Sequence, residues 1–342
     1  MHAQLMPNSY GVTTHRCVCG QKLPATFFLN RGRLAARCPA CHAALAREHV
    51  ESKRLFLPVM GGPSAGKTAF LYSAVKQFII LKAPNLGFEA AFFDPRSKSA
   101  FQGAISLLKA GRAPLKTNNL IPTALNLTLS KRGRLKFLLY FYDPAGEAYQ
   151  MADMLAGHGF HEYLSGMILI VDPFAIEAVR VRYQSELLSH WKLLNPCELP
   201  IEETIDRLLL TLTDNFGLSK TGKVKQPLAV VLNKVDAFDL ETLVGETAVD
   251  RALASMASRN ARRTLKRHEV RNQLVSAQLA AWGEKAFVRR IEARFGHYRY
   301  FSCSALGRMA DGRPKPLQGR GVLEPLMWIL GRSEAGSFPP GC

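Results

Sequence analysis

Short, dense apolar runs set at wide intervals dominate the chain. Residues 54–60, Leu135 to Tyr142, Met167 to Val171, residues 227–232 and Tyr298 to Cys303 each have the length of one buried strand. Between them, apolar residues recur at helical spacing, as in Phe70, Leu71, Ala74, Val75, Phe78 and Ile79, or Phe101, Ile105 and Leu108. The pattern predicts a parallel core of strands near 55–61, 134–142, 166–172, 228–233 and 298–303, with 124–130 as an antiparallel edge. Helices are expected near 67–82, 97–111, 148–160, 174–194, 201–213 and 322–331. Strands alternating with helices make an α/β, three-layer sandwich with a mostly parallel sheet. Such a sheet binds ligands at the carboxyl ends of its strands.

The first strand runs into Gly61-Gly62-Pro63-Ser64-Ala65-Gly66-Lys67-Thr68, and a helix begins at once with Ala69. A polyphosphate needs backbone N–H groups converging on it, and glycines let the chain wrap closely enough to present them. The helix N-terminus adds partial positive charge behind the phosphates. Lys67 would reach the β- and γ-phosphates, and the Thr68 hydroxyl would ligate Mg²⁺. Strand, Gly-rich loop and helix stand in the order that this P-loop chemistry requires.

The base must be argued from elsewhere. The run 227–232 ends in Asn233-Lys234-Val235-Asp236. A carboxylate in the plane of guanine accepts from N1–H and the 2-amino group, whereas adenine offers neither donor there. Asn233 would contact guanine N7 and the phosphate-loop backbone, and the Lys234 stem would cover one face of the base. The run ending at Tyr142 leads to Asp143-Pro144-Ala145-Gly146. Asp143 would hold the Mg²⁺ water shell. Gly146, with no side chain, lets its N–H approach a γ-phosphate. Ser304, Ala305 and Leu306 follow the last strand and match a loop that backs the guanine ring.

Four of the seven cysteines fall within 25 residues, as Cys17-Val18-Cys19-Gly20 and Cys38-Pro39-Ala40-Cys41. Two tight turns facing one another supply four thiolates in a tetrahedron, which favours structural Zn²⁺. So small a module cannot bury enough apolar surface to fold alone, so the metal would supply most of its stability. The domain reading is a zinc ribbon and linker over 1–53, then a phosphate-loop domain over 54–342 with a basic helical insertion at about 237–297.

These elements, in this order, resemble the translation-factor-related (TRAFAC, Ras-like) class of P-loop GTPases over residues 54 to about 332. Within that class the layout is similar to the bacterial double-GTPase (DO-GTPase) group, which pairs an N-terminal cysteine ribbon with the same motifs. The resemblance implies GTP and GDP as ligands, Mg²⁺ as cofactor, and a role in multi-protein conflict or signalling systems. It departs at one position. Ras-like enzymes have Gln after the D-x-x-G motif to orient the attacking water, and this chain has Glu147. A carboxylate beside a charged γ-phosphate implies slow or partner-stimulated hydrolysis. Thr117 and Thr123 both precede the next strand, and the resemblance favours Thr117 as the switch threonine.

Net charge changes the picture only locally. The formal value is +18. Residues 251–300 hold twelve Lys/Arg against three acids, and residues 1–54 hold eight against two. In the insertion, Arg259, Arg262, Arg263, Lys266, Arg267, Arg271, Lys285, Arg289, Arg290 and Arg294 form either a solvated cover, with Leu274, Leu279, Phe287 and Ile291 inward, or a docking surface. Protein partners are expected, nucleic acid is the alternative, and few interleaved aromatics weaken the single-strand case. No apolar run approaches a membrane span, no signal-peptide order opens the chain, and a cytoplasmic location is the expectation. The leading reading is a GTP-driven molecular switch. Its competitors are a GTP-regulated nucleic-acid or ribosome-associated factor and a non-hydrolysing GTP-binding scaffold.

Overall fold

The computed structural model describes residues 14–16, 22–24, 52–93, 95–112, 124–142, 164–216, 222–259, 266–309 and 313–333. Near the N-terminus, Thr14–Arg16 (β1) and Lys22–Pro24 (β2) pair antiparallel. Cys17, Cys19, Cys38 and Cys41, expected to form a zinc ribbon, lie outside the described residues.

Among the described residues, seven strands form the main sheet. They are Lys53–Gly61 (β3), Glu89–Phe92 (β4), Ala124–Lys131 (β5), Arg134–Tyr142 (β6), Met167–Val171 (β7), Leu228–Leu232 (β8) and Tyr298–Ser302 (β9). Their spatial order is β4-β5-β6-β3-β7-β8-β9. β4, β5 and β6 pair antiparallel, and every pairing from β6 onward is parallel. The predicted α/β fold with a mostly parallel sheet stands, with one correction: β5 is not the edge. The edge is β4, whose four residues Glu-Ala-Ala-Phe alternate between exposed and half-buried. So short and weakly β-forming a segment leaves no apolar run to read.

The central strands are apolar throughout because both faces are covered. On β7, Met167, Leu169 and Val171 enter one core while Ile168 and Ile170 enter the other. β8 divides the same way, with Leu228, Val230 and Leu232 opposite Ala229 and Val231. Pleating turns alternate residues to opposite faces, so a continuous apolar run serves two layers of helices.

The helices beside the site are Lys67–Gln77 (α1), Pro95–Lys109 (α2), Glu177–Arg182 (α3), Gln184–Leu194 (α4) and Ile201–Phe216 (α5). α5 buries Ile201, Ile205, Leu208 and Leu212 on one stripe. Each such side chain contributes about 1.5–3 kcal/mol of burial. The helix expected over 67–82 continues past α1 as a single π turn, Phe78–Lys82. The one expected over 174–194 breaks at Tyr183 into α3 and α4. The helix expected near 148–160 lies outside the described residues.

The insertion folds as Leu240–Val244 (α6), Glu246–Arg259 (α7), Arg267–Ala281 (α8) and Lys285–Arg294 (α9), and Leu323–Arg332 (α10) follows β9. Leu279, Phe287 and Ile291 face inward as expected, but Leu274 is only half-buried and Val275 takes the core position. The basic-surface reading also needs correction. Arg271 is 1% exposed and pairs with Glu246 and Glu324, while Arg267 pairs with Glu246 and Asp250 and Arg290 with Asp206. Acids from outside each arginine's own stretch neutralise charges that looked free in sequence. Among the described residues no helix is long and apolar enough to cross a membrane.

Candidate nucleotide-binding site

Strands β3, β7, β8 and β9 end side by side, which brings Gly61, Asp172, Asn233 and Cys303 to one rim of the sheet. β3 is also the point where the chain order reverses, with β6 on one side and β7 on the other. A crevice at such a switch point is where an open α/β sheet takes its ligand.

The phosphate loop leaves β3 under tight steric control. Gly61 has φ +146°, and a Cβ there would lie 2.3 Å from the carbonyl oxygen of Ile170. Gly66 has φ +88°, and a Cβ there would lie 2.4 Å from Nδ2 of Asn233. Ser64 also takes a left-handed conformation at φ +61°. Only glycine enters these conformations without steric cost and still lets the Ile170 backbone or the Asn233 amide come so close. Ala65 is buried, and its N–H closes a turn on the Gly62 carbonyl at 3.3 Å.

Lys67 is buried, with Nζ donating to the carbonyls of Gly61 at 3.1 Å and Gly62 at 3.0 Å. These bonds fold the long side chain back across the loop and hold its ammonium beside the Gly-rich turn. Gly66 caps α1 without a side chain, and no acid sits in the first turn that contains Thr68 and Ala69. An uncapped first turn carries N–H donors and the positive end of the helix dipole, so it fits an anion. The donor set of this loop therefore suits a polyphosphate.

Asn233 is the hinge pin of the site. It is 2% exposed, its Nδ2 donates to the Ala65 carbonyl at 3.0 Å, and its Oδ1 accepts from the Ala305 N–H at 3.1 Å and from Cys303 Sγ at 3.4 Å. One amide thus joins the phosphate loop, the Asn233–Asp236 turn and the Ser304–Leu306 loop. Lys234 takes a left-handed φ of +56°. Its Nζ is drawn to Asp172 at 2.6 Å and to the carbonyls of Leu194 and Asn195 at 3.0 and 3.1 Å. Asp236 is half-buried. Burial pushes its carboxyl up, while a hydrogen bond from the Ser304 hydroxyl and the nearby Arg320 guanidinium pull it down and Glu241 raises it again. Ser304 and Ala305 are buried, and Leu306 packs at the core margin.

The sequence-predicted residues Gly61, Ser64, Ala65, Gly66, Lys67, Thr68, Ala69, Asn233, Lys234, Asp236, Ser304, Ala305 and Leu306 thus all fall at one rim of the sheet, on its loops, at the end of β3 or in the first turn of α1. Thr117, Thr123, Asp143, Gly146 and Glu147 lie outside the described residues. Two features of the rim had no reading in the sequence. Asp172 was only the end of a strand, although a polar residue directly after a buried run is itself a signal. The second is a strap over residues 313–322. Arg320 exchanges backbone hydrogen bonds with Ser304 at 2.9 and 3.0 Å, and Lys76 of α1 donates to the Leu317 carbonyl at 2.7 Å. The strap therefore links the phosphate-loop helix to the loop beside Asp236. Among the described residues no group of three or more His, Cys, Asp or Glu is arranged to hold a metal.

A search of curated protein sequences returned no match. Solved structures resemble the chain at low identity. The Roco2 RocCORdC fragment of Methanosarcina barkeri bound to GDP is 12% identical over 82% of this chain and 50% of that one, with a TM-score of 0.31. The Ski7 GTPase-like domain of S. cerevisiae bound to GTP is 14% identical over 81% and 49%, with a TM-score of 0.36. The Arl6 small GTPase of Trypanosoma brucei with a bound GppNp analogue is 10% identical over 84% of this chain and all of that one, with a TM-score of 0.34. The chain spans about half the length of the first two. The family model for Double-GTPase 2 matches residues 55–285, more than half of the chain, a span that includes Gly61 to Ala69, Asp172 and Asn233 to Asp236. The chain belongs to the Double-GTPase 2 family.

Proposed function

We propose that this protein binds GTP with Mg²⁺, hydrolyses it, and changes its affinity for protein partners with the state of the nucleotide. The observation that carries this reading is Asn233, which ties the phosphate loop to the loop bearing Asp236 through Ala65 and Ala305. A ligand gripped by both loops must offer a polyphosphate and, at a fixed distance from it, a base edge with two donors. GTP is such a ligand.

In this reading Lys67 and the backbone N–H groups of Gly61 and of Ser64 to Ala69 hold the phosphates, and Asp236 accepts from the guanine edge. The stem of Lys234 covers the base, and Ser304 to Leu306 back the ring. Thr68 and Asp143 would hold Mg²⁺, which supplies charge neutralisation to the phosphates when bound. Gly146 and Thr117 would report the γ-phosphate, and loss of that phosphate would release the segments they stand in. Cys17, Cys19, Cys38 and Cys41 would hold Zn²⁺ in an N-terminal ribbon. A bacterial signalling or defence assembly is the setting we favour. Nucleic acid is the weaker alternative, since three arginines of the basic insertion are engaged by acids of this chain.

Calorimetry in Mg²⁺ buffer tests the ligand. GTP is expected to bind well and ATP poorly, and equal affinity for the two would remove the guanine reading. Hydrolysis is tested separately through Glu147. Its charge beside the γ-phosphate should hold turnover down, so Glu147→Gln is expected to raise single-turnover phosphate release severalfold. A fall instead would mean that the carboxylate itself positions the water.

A further inference from the structure

Asp172 follows the last residue of β7, and its side chain is fully buried. A carboxylate in that position needs partners on every side. Its Oδ1 accepts from the Phe174 N–H at 3.0 Å. Its Oδ2 accepts from the Cys197 N–H at 2.9 Å and from Lys234 Nζ at 2.6 Å. Three separate segments converge on this one group: the turn after β7, the turn after α4, and the loop that carries Asn233 and Asp236.

The turn after α4 closes the arrangement. The carbonyls of Leu194 and Asn195 take the other hydrogen bonds of Lys234 Nζ. Two residues later Cys197 reaches the phosphate loop, where a Cβ on Gly62 would lie 2.5 Å from its Sγ. Arg180 of α3 fixes the turn from behind, with Nη2 donating to the Cys197 carbonyl at 2.6 Å and Nε to the Phe174 carbonyl at 2.5 Å. Lys234 thus has its ammonium locked at the far end of an outstretched side chain, while its backbone sits in a left-handed conformation at φ +56°. A lysine stem held at both ends is a rigid wall, whereas a free one samples many rotamers.

We infer that Asp172 is a positioning residue for the nucleotide, acting through Lys234. It clamps the ammonium so that the carbon stem is set in place before the base arrives. This rests on the GTP-binding reading above. The expected consequence is selective. Loss of the clamp weakens the hold on the base more than the hold on the phosphates, because Lys67 Nζ is held by the Gly61 and Gly62 carbonyls and is linked to Asp172's segment through the packing of Cys197 on Gly62.

The test compares GTP with inorganic tripolyphosphate, each titrated calorimetrically in Mg²⁺ buffer against the full chain. Asp172→Asn keeps the shape but removes the charge. It is expected to lower GTP affinity about tenfold while tripolyphosphate affinity moves less than twofold. Lys234→Met should give the same pattern. In the double variant the two losses should fail to multiply, since both remove one clamp. Equal loss for GTP and tripolyphosphate would mean a general loosening of the fold and overturn the inference, as would independent, multiplying effects. Should Asp172→Asn not fold, Lys234→Met decides alone, and wild-type GTP affinity in that variant would overturn the clamp. A wild-type protein that binds tripolyphosphate but shows no added affinity for GTP would instead refute the underlying guanine reading.

Discussion

Arg271→Ala is expected to lower the stability of the folded chain by about 3–5 kcal/mol, because it removes the buried centre of an ion-pair network whose two carboxylates are only partly exposed. The guanidinium is 1% exposed and forks between two acids. Nη2 meets Glu246 at 2.8 Å, and Nε and Nη2 meet the two oxygens of Glu324 at 2.9 and 3.0 Å. Nη1 reaches Ser302 on β9. One side chain of α8 therefore pins α7, α10 and the sheet together. Burial alone would raise the Glu246 carboxyl, but Arg271 and Arg267 reverse that and hold it below the ordinary carboxylate range. A depressed carboxylate stabilises the fold at pH values above its unfolded value, and that stability is lost as pH falls through the folded one. Urea melts should therefore show the wild type losing its advantage over Arg271→Ala as the medium is acidified from the usual Glu range down through the depressed value of Glu246. Arg290→Ala is the control. Its pair with Asp206 is about half exposed on both sides, so its removal should cost about 1 kcal/mol or less. Similar losses for the two variants would sink the argument that Arg271 is a structural pin.

Arg271 also shows where sequence reading stops. The phosphate loop was legible because each of its requirements is local: an apolar strand, glycines where φ turns positive, a lysine and a helix directly behind. Asn233 and Asp236 were legible for the same reason, since they close a five-residue buried strand. Arg271 stood in a run of cations, and nothing nearby in sequence says that Glu246 and Glu324 meet it, 25 and 53 residues away. The pattern of apolar positions placed the helix; it could not decide which of its charges faces inward. β4 failed differently, because four residues on an edge, three of them weak strand formers, bury too little to leave a pattern. Asp172 and the strap over 313–322 are parts of the rim whose partners come from distant loops. Gly319 marks that approach: a Cβ there would lie 2.2 Å from Ser73 Oγ of α1. The glycine is visible in the sequence, but what it approaches is not.

Asp236→Ala is expected to weaken GTP binding by about 3–5 kcal/mol, the loss of two hydrogen bonds to a charged acceptor, with ATP binding barely changed. Calorimetry with both nucleotides reads the difference. Asp236→Asn makes a sharper test of geometry. Its amide still accepts from N1–H but now donates beside it, so it suits xanthine, which carries a carbonyl where guanine carries an amine. Affinity should pass from GTP to XTP, and an Asn variant that still prefers GTP would show that this side chain does not meet the base edge. Acidity gives an independent handle. Burial raises the Asp236 carboxyl in the free protein, with Ser304 and Arg320 opposing and Glu241 assisting. Guanine donors favour the ionised form, so binding lowers the same group. GTP affinity should therefore fall as pH drops through the raised value of the free protein, above the ordinary Asp range of about 3.9. At this group alone, folding stability runs the other way. A carboxyl raised on folding is least favourable when ionised, so acidification through the raised value favours the folded state while it weakens the ligand. Taken over the same pH series without nucleotide, the melting temperature of the wild type relative to Asp236→Asn should rise on acidification through that value while wild-type GTP affinity falls.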